Sequence, residues 1–477
     1  MKDSEMRIAV LGTGYVGLVS AACFAQSENH VICVDIDEAK IAMLGRGEVP
    51  IYEPELDKLI AGGRRRRRLD FVSDTAKAVS DADLVFIAVG TPARASDGHA
   101  DLSQVYTAVE NLASFLKAGA IVVTKSTVPV GTGDTVEYLI KRIRPELDFA
   151  VASNPEFLRA GRAVQDFLQP DRVVIGAQSD LVAARLMKLY RRVGIAHERI
   201  LLTDRRSSEL IKYAANGFLA TKIAYINEVA ELCEKVDARI GDVIKGIGLD
   251  ERIGSRYLQP GPGFGGSCFP KDARALAQMG EDHEAPMRII ETVLASNEAR
   301  KRSMARKVAA FCNGAVRGKV VALLGLTFKA DTDDMRDAVS IPLARALTDA
   351  GSILKAYDPV ANGRARDLLP SGVHYCSSPH EAADGADAIV IATEWQEFAQ
   401  IDFHKLRAAM RTPVIIDLRN FLNEEEVQRS GFRYFGIGGR RRRAFQRTPA
   451  RATASIRPFL TDTEDNDDLL QRIAAAE

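Results

Sequence analysis

A short apolar run, Arg7 to Leu11 (RIAVL), leads without interruption into Gly12-Thr13-Gly14-Tyr15-Val16-Gly17 and then into the small-residue apolar stretch LVSAACFA. Strand, glycine turn and helix in that order leave few folds open. Gly12 permits the turn, Gly14 lets backbone reach a pyrophosphate, and Gly17 lets the helix pack on the strand, with phosphate at the helix N-terminus. A second apolar run, Val31 to Val34, ends at Asp35. That is close to the spacing of roughly twenty residues at which an acid accepts from ribose hydroxyls and repels a 2′-phosphate. NAD is therefore expected over NADP, although Lys40 and Arg46 stand nearby in sequence.

The same grammar continues. LVFIAV before Gly90-Thr91-Pro92, AIVVTKS before Thr127, FAVASNPEF and RVVIG alternate with helical segments, which predicts a parallel sheet covered on both faces. Ligands bind at the carboxyl ends of such strands, where Thr91, Ser126, Thr127, Asn154 and Glu156 stand. Taken singly, Ser126 and Thr127 are better explained as turn caps. From Ser207 to Val236 runs one long helical pattern, interrupted only by Gly217 and too apolar for a surface helix, so it is expected between domains or subunits. Lys212 and Asn216 share one face of it. From Arg317 to Gly438 strand and helix signals alternate again, with Asp358 placed like Asp35 but no GxGxxG, so a different ligand is expected there. Lys329 and Arg336 near its first turn are candidate phosphate partners or ordinary surface charges. The fold class is α/β: two Rossmann-like doubly wound domains joined by a long central helix.

At 477 residues the chain exceeds one hydrophobic core, and 64 basic residues balance 64 acidic ones, which argues against a general nucleic-acid binder. No run is long and apolar enough for a membrane span, and the charged start MKDSEM is unlike a signal peptide, so a cytoplasmic location is expected. The six cysteines are scattered singly, without metal-ligand spacing or a disulfide framework. One of them is set apart by its surroundings. In Pro260 to Asp272, PGPGFGGSCFPKD, a glycine-built loop presents Cys268 beside Lys271 and Asp272, just before a helix-forming run. A helix N-terminus and an ammonium both favour a thiolate, so a lowered thiol pKa is expected, although a lone cysteine is as often merely packed.

GTGYVG, IYEPEL, VGTP with ADLS, KSTVPVGT, SNPEFL, KYAAN, GFGGSCFPKD, GLTFKADTDDMRD and TEW come one after another in an order that resembles the UDP-glucose/GDP-mannose dehydrogenase family, on the branch that oxidises UDP-glucose. The resemblance covers nearly all of residues 6–438. It implies a four-electron oxidation of a sugar hydroxyl to a carboxylate with two NAD in turn, through a cysteine-bound thiohemiacetal and thioester. Covalent capture splits a hard oxidation into easier steps. Carried over by position, Cys268 is the nucleophile, Lys212 with Asn216 stabilises the oxyanion, and Asp272, Glu156 and Thr127 serve proton transfer and the hydrolytic water. The cofactor positions are Gly12, Gly14, Tyr15, Val16, Gly17, Asp35, Lys40, Thr91, Thr127 and Lys271. Substrate positions are Glu156, Phe157, Leu158, Lys212, Asn216, Tyr257, Leu258, Phe264, Gly265, Lys329 and Arg419, with Arg252 reaching a partner subunit's substrate. A homodimer or higher assembly is implied as well. The implied domains are 1–203 for NAD, 204–314 for dimerisation and the cysteine loop, 315–438 for the UDP-sugar, and a disordered tail 439–477.

The chain also departs from the family pattern. Ala160 stands where relatives commonly have glutamate, Glu55 where IYEPGL has glycine, and Asn29 where glycine often precedes the second strand. GDP-mannose and UDP-N-acetylhexosamine remain alternative substrates, and a nucleotide-sugar-binding regulator impaired in hydrolysis is the alternative that Ala160 raises. Arg64 to Arg68 reads as a solvated basic turn, and Arg440 to Arg443 as the basic start of the tail, fitted to tether the chain to an anionic surface.

Overall fold

The computed structural model describes residues 5–94 and 96–439, so the tail from Arg440 lies outside the described residues. Its first sheet holds β1 (Met6–Leu11), β2 (Asn29–Val34), β3 (Leu69–Val72), β4 (Leu84–Ile87), β5 (Ala120–Thr124), β6 (Phe149–Ser153), β7 (Val173–Ala177) and β8 (Ile200–Thr203), in the order β3-β2-β1-β4-β5-β6-β7-β8. Its second holds β9 (Val320–Leu324), β10 (Ile353–Tyr357), β11 (His374–Tyr375), β12 (Ala388–Ile391), β13 (Val414–Asp417) and β14 (Arg433–Gly436), in the order β11-β10-β9-β12-β13-β14. Both sheets reverse direction of winding beside their first strand, which opens a ligand crevice at the strand ends. Central strands such as β4, β5, β12 and β13 are buried on both faces, as helices on each side require.

The expected all-parallel first sheet is corrected at one edge. β7 pairs antiparallel with β6, through Ala152 opposite Ala177, and β8 runs parallel to β7. The short helix Ala163–Leu168 turns the chain back without the full crossover that a parallel neighbour needs.

The central helix spans Arg205–Val236 without a break. Gly217 does not interrupt it: a Cβ there would meet Leu276 Cδ2 at 2.9 Å and Ile290 Cδ1 at 3.1 Å, so glycine admits the helices Phe269–Asp282 and Arg288–Phe311 close to its axis. The first turn is clamped to the first sheet. Buried Arg205 bridges Asp134 and Glu137, and buried Glu209 accepts from the N–H groups of Gly131 and Gly133 at the start of the helix Thr132–Ile143. Burial pushes the Glu209 carboxyl up to about 7 against the pull of those N–H groups. Further along, Ile226, Ala230 and Cys233 join the core of the second sheet, so one helix is tied to the first sheet by polar groups and to the second by apolar ones. Its outer face leaves Phe218, Tyr225 and Leu232 exposed at 66%, 58% and 59%.

The basic turn is more than solvated. Arg64 donates to the carbonyls of Leu44 and Gly45, Arg66 to Gln26 Oε1 and Arg68 to the carbonyl of Ser27, tying neighbouring helix ends together. No described helix is long and apolar enough to cross a membrane.

Candidate active site

Residues distant in sequence converge around the cysteine. Cys268 is the N-cap of the helix Phe269–Asp282 and keeps partial access to solvent, whereas the other five cysteines are buried. From the central helix, Lys212 Nζ donates to Glu156 Oε1 at 3.0 Å, and Asn216 Nδ2 donates to Asp272 Oδ2 at 2.6 Å. Lys271 holds the other Asp272 oxygen at 2.6 Å. The N–H of Leu158 donates to Glu156 Oε2 at 2.5 Å, which fixes the carboxylate from within its own loop. The helical spacing of Lys212 and Asn216 therefore presents one cation and one amide, each already seated on a carboxylate.

The electrostatics correct one expectation. The Cys268 thiol is raised above its ordinary pKa, by burial first and then by Glu156, with Lys212 opposing and Asp272 adding to the rise. The helix terminus and lysines are present, but two carboxylates face the sulfur as well. Burial would raise Glu156; Lys212, the Leu158 N–H and Lys125 more than offset it and hold the carboxyl below its usual range. Burial would lower Lys212, yet Glu156, Asp272 and Cys268 together push it up. The resting site thus pairs a carboxylate with an ammonium beside a neutral thiol, a state from which negative charge on a substrate oxygen finds a ready cation.

The second sheet closes over this cluster. The N–H of Gly266 donates to the Arg336 carbonyl at 2.8 Å, and a Cβ on Gly265 would collide with the carbonyl of Asp337. A Cβ on Gly161, just past Ala160, would lie 2.7 Å from the Asp331 carbonyl. Lys329 faces this junction, pushed down by burial and by Arg159 against the pull of Glu394. Arg419 donates to the carbonyls of Ala392 and Phe328 and pairs with Glu394 at 3.1 Å, so it is held at the strand ends beside the cysteine loop. Arg336 is engaged by Asp334.

Other expected substrate positions are distributed differently. The Phe157 ring is stacked under Arg172 at 3.6 Å, and Tyr257, at φ 64°, packs edge-on to Phe269 at 6.1 Å. The Leu258 side chain belongs to the core of the second sheet. Both backbone groups of Phe264 are taken by Asn297, at 2.8 and 3.0 Å, and Gly265 is packed against the Asp337 carbonyl. Arg252 is 89% exposed at its side chain and bonded to Asp250, away from this chain's own cluster.

At the first sheet, the site fits a dinucleotide. Leu18 is the donor to the Gly14 carbonyl, so the N–H groups of Tyr15, Val16 and Gly17 precede the first helical bond, and a Cβ on Gly14 would meet nothing within 4 Å. Asp35 Oδ2 accepts from the Thr13 N–H and hydroxyl at 2.7 and 2.6 Å, while the residue stays half-exposed at the end of β2. Lys40 pairs with Asp37 at 3.3 Å. The Tyr15 hydroxyl is committed to Glu53 and accepts from the Gly161 N–H, so its backbone is what faces a ligand. Thr91 donates to the Thr127 carbonyl at 2.9 Å, joining the ends of β4 and β5.

Several site residues are not among those singled out from sequence. Asn227 and Arg300 hold the two backbone groups of Gly261, and Asn297 those of Phe264, so the cysteine loop hangs from polar groups on the central helix and on Arg288–Phe311. Asn227 is signalled by a polar residue among the apolar ones of the central helix, whereas Asn297 and Arg300 lie in the charged run SNEARKRS and nothing in it sets them apart. Lys125, at the end of the AIVVTKS run, is buried with Nζ 3.0 Å from Asn154 Oδ1 and 3.1 Å from the Tyr190 hydroxyl. A lysine closing an otherwise apolar strand is the signal there.

Comparison with known proteins gives the same outline. The UDP-glucose/GDP-mannose dehydrogenase family is matched by its NAD binding domain over residues 6–194, its central domain over 206–299 and its UDP binding domain over 322–424. The chain is 52% identical over 435 residues to a UDP-glucose 6-dehydrogenase of Rhizobium meliloti (strain 1021), covering 91% of this chain and 99% of that protein. A UDP-glucose dehydrogenase from the archaeon Pyrobaculum islandicum superposes with a TM-score of 0.84 at 37% identity, over 92% of this chain and 99% of that one. A UDP-D-ManNAc dehydrogenase from Pyrococcus horikoshii superposes with a TM-score of 0.79 at 30% identity, over 91% and 99%. Matches along all three segments, and a relative sharing half the residues over nearly its full length, place this chain in the UDP-glucose/GDP-mannose dehydrogenase family.

Proposed function

We propose that the chain oxidises UDP-glucose to UDP-glucuronate, using two NAD in turn and a covalent intermediate on Cys268. The observation that carries this reading is the convergence of the Lys212–Glu156 and Asn216–Asp272 pairs around the one cysteine with solvent access. Gly14, the first turn at Tyr15 to Gly17, and Asp35 hold the dinucleotide, which when bound supplies the two hydride acceptors. Lys212 stabilises the alkoxide as the first C–H bond breaks and the aldehyde forms. Cys268, its proton passing to a neighbouring carboxylate, adds through sulfur to the aldehyde carbon. The thiohemiacetal so formed loses its hydride to give a thioester. Water attacks that carbonyl as Glu156 takes its proton, the C–S bond breaks, and the thiol and the acid are released.

Lys329 and Arg419 hold the diphosphate end of the substrate, and residues 1–203, 204–314 and 315–438 act as cofactor, dimerisation and UDP-sugar domains. The exposed Phe218, Tyr225 and Leu232 support a homodimer through the central helix, with Arg252 reaching the neighbouring site. A second reading, oxidation of a UDP-N-acetylhexosamine, draws on the Pyrococcus horikoshii neighbour. NADH formed per nucleotide sugar, with UDP-glucose, GDP-mannose and UDP-N-acetylglucosamine run side by side, tests both. Two NADH per UDP-glucose supports the first reading; turnover of a rival sugar alone overturns its substrate and keeps its chemistry. Cys268→Ser removes acid formation if the intermediate is covalent, and an unchanged rate of acid release would refute that step.

A further inference from the structure

The mechanism leaves unused a buried cation that shares a cavity with Glu156. Lys125 lines the same small cavity as Glu156, and its ammonium is hydrogen-bonded to neutral acceptors, Asn154 Oδ1 and the Tyr190 hydroxyl. The Phe167 and Tyr190 rings lie 5.9 and 5.7 Å from it. Asn154 in turn donates to the Val174 carbonyl at 2.7 Å, and stands two residues before Glu156. The chain of contacts therefore runs from Lys125 through Asn154 to the loop that carries the carboxylate. A buried ammonium with no carboxylate in contact is costly, and it persists where a nearby anion compensates through space. Glu156 is that anion, and Lys212 is the cation with which Lys125 competes for it. A small cavity lined by Lys125, Glu156, Arg159, Asp166, Asp171 and Arg172 adjoins the pair, polar and roomy enough to hold water.

We propose that Lys125 is a positioning residue for thioester hydrolysis: held by Asn154 and Tyr190, its ammonium keeps the Glu156 carboxylate set to take the proton of the attacking water. The inference rests on the reading of Cys268 as a covalent carrier, and it gives a reason why an acid at Ala160 is dispensable. In the proposed step water adds to the thioester carbon, its proton passes to Glu156, and the thiolate leaves and is reprotonated. No oxidant is needed. With two cations acting on one carboxylate, Lys212 can turn to the substrate oxygen while the charge of Glu156 is still compensated. The groups that face Lys125 are Glu156 from its loop, Lys212 from the central helix, and Tyr190 from the helix Asp180–Arg192. Burial lowers the Lys125 ammonium to about 7, so its support of Glu156 is present on the acid side of neutrality and fades on the alkaline side.

That sign supplies the test. Rapid mixing of the full chain with NAD and UDP-glucose separates the early NADH from acid release. For Lys125→Met, hydrolysis is expected to fall about tenfold on the acid side and to converge with the native chain in the alkaline range, its acid limb moving up by about one pH unit. Early NADH formation stays nearly unchanged. Lys125→Arg, which stays charged, keeps the native acid limb and answers the question if the methionine variant does not fold. A deficit equal at every pH, or one shared by NADH formation and hydrolysis, would overturn the proposal in favour of a packing role. Infrared titration of the substrate-free chain, with Glu156→Gln to assign the carboxyl band, decides the Lys125–Glu156 coupling even if the covalent reading fails: an unmoved Glu156 transition in Lys125→Met refutes it.

Discussion

The two sheets start from the same strand order and the same opening device, and differ in the length of chain between that device and the next helix. Gly12 and Gly325 each take positive φ, 102° and 85°, and each donates its N–H to the end of the neighbouring strand. Thr13 reaches Asp35 in the first sheet as Thr327 reaches Asp358 in the second. Beyond that point the first half enters its helix at once, at Tyr15, whereas residues 326–339 intervene before the helix Ser340–Asp349. Asp35 stays half-exposed beside open backbone. Asp358 is buried and accepts from the N–H groups of Leu326, Thr327, Val360 and Ala361 and from the Trp395 indole. The same carboxylate position is left half-exposed in one half and made an internal staple in the other, and the long first turn of the second half closes over the cysteine loop.

The comparison can be broken most sharply at the two aspartates. Asp358→Asn leaves several buried donors facing an amide, and should destabilise the chain by about 3 kcal/mol with little effect on NAD affinity. Urea unfolding and NAD titration measure the two quantities. Asp35→Asn should do the reverse, weakening NAD about tenfold, or about 1.4 kcal/mol, while the unfolding midpoint hardly moves. If both substitutions act mainly on stability, Asp35 is also a staple and the assignment of the first sheet to the cofactor loses its main support. Gly14→Ala sharpens the same point with a smaller effect. Nothing lies within 4 Å of the added Cβ, so stability should hold while NAD binding weakens severalfold.

How much of this was readable from sequence depends on how local each cause is. β1, β2, β9 and the helix after Cys268 are dictated by runs of neighbouring residues, and so are the glycine turn and the Lys212–Asn216 face. β8 is short and exposes Leu201 and Leu202, so it carries no burial pattern to read. The reversal of β7 is invisible because an apolar run such as VVIG reads alike in either direction. The upward shift of the Cys268 thiol comes first from burial, which the fold creates, and then from the carboxylates at positions 156 and 272, only the second of which is near it in sequence. Lys125 is recognisable as unusual, but its meaning comes from Asn154, Glu156, Tyr190 and Lys212, which only the fold brings together.

Backbone strain separates the two halves in the same way, and gives the smallest effect. In the first half Glu55 is exposed and left-handed, φ 67°, at the position where the sequence pattern expects glycine, and it touches nothing in the site. In the second half two of the left-handed residues, Asp331 and Asp337, φ 61° and 52°, have carbonyls that press on Gly161 and Gly265, and Asp337 also faces Arg274 at 3.6 Å. A non-glycine residue in that region costs about 1 kcal/mol. Glu55→Gly should therefore raise stability by about 1 kcal/mol and leave turnover unchanged. Asp337→Gly relieves the same strain but loosens the turn that seats the cysteine loop, so it should lower kcat severalfold even where the urea midpoint rises. Parallel measurement of urea midpoint and kcat on the two variants decides this. Equal turnover in both would mean that the long turn of the second sheet shapes the site by its presence alone and not by its strained conformation.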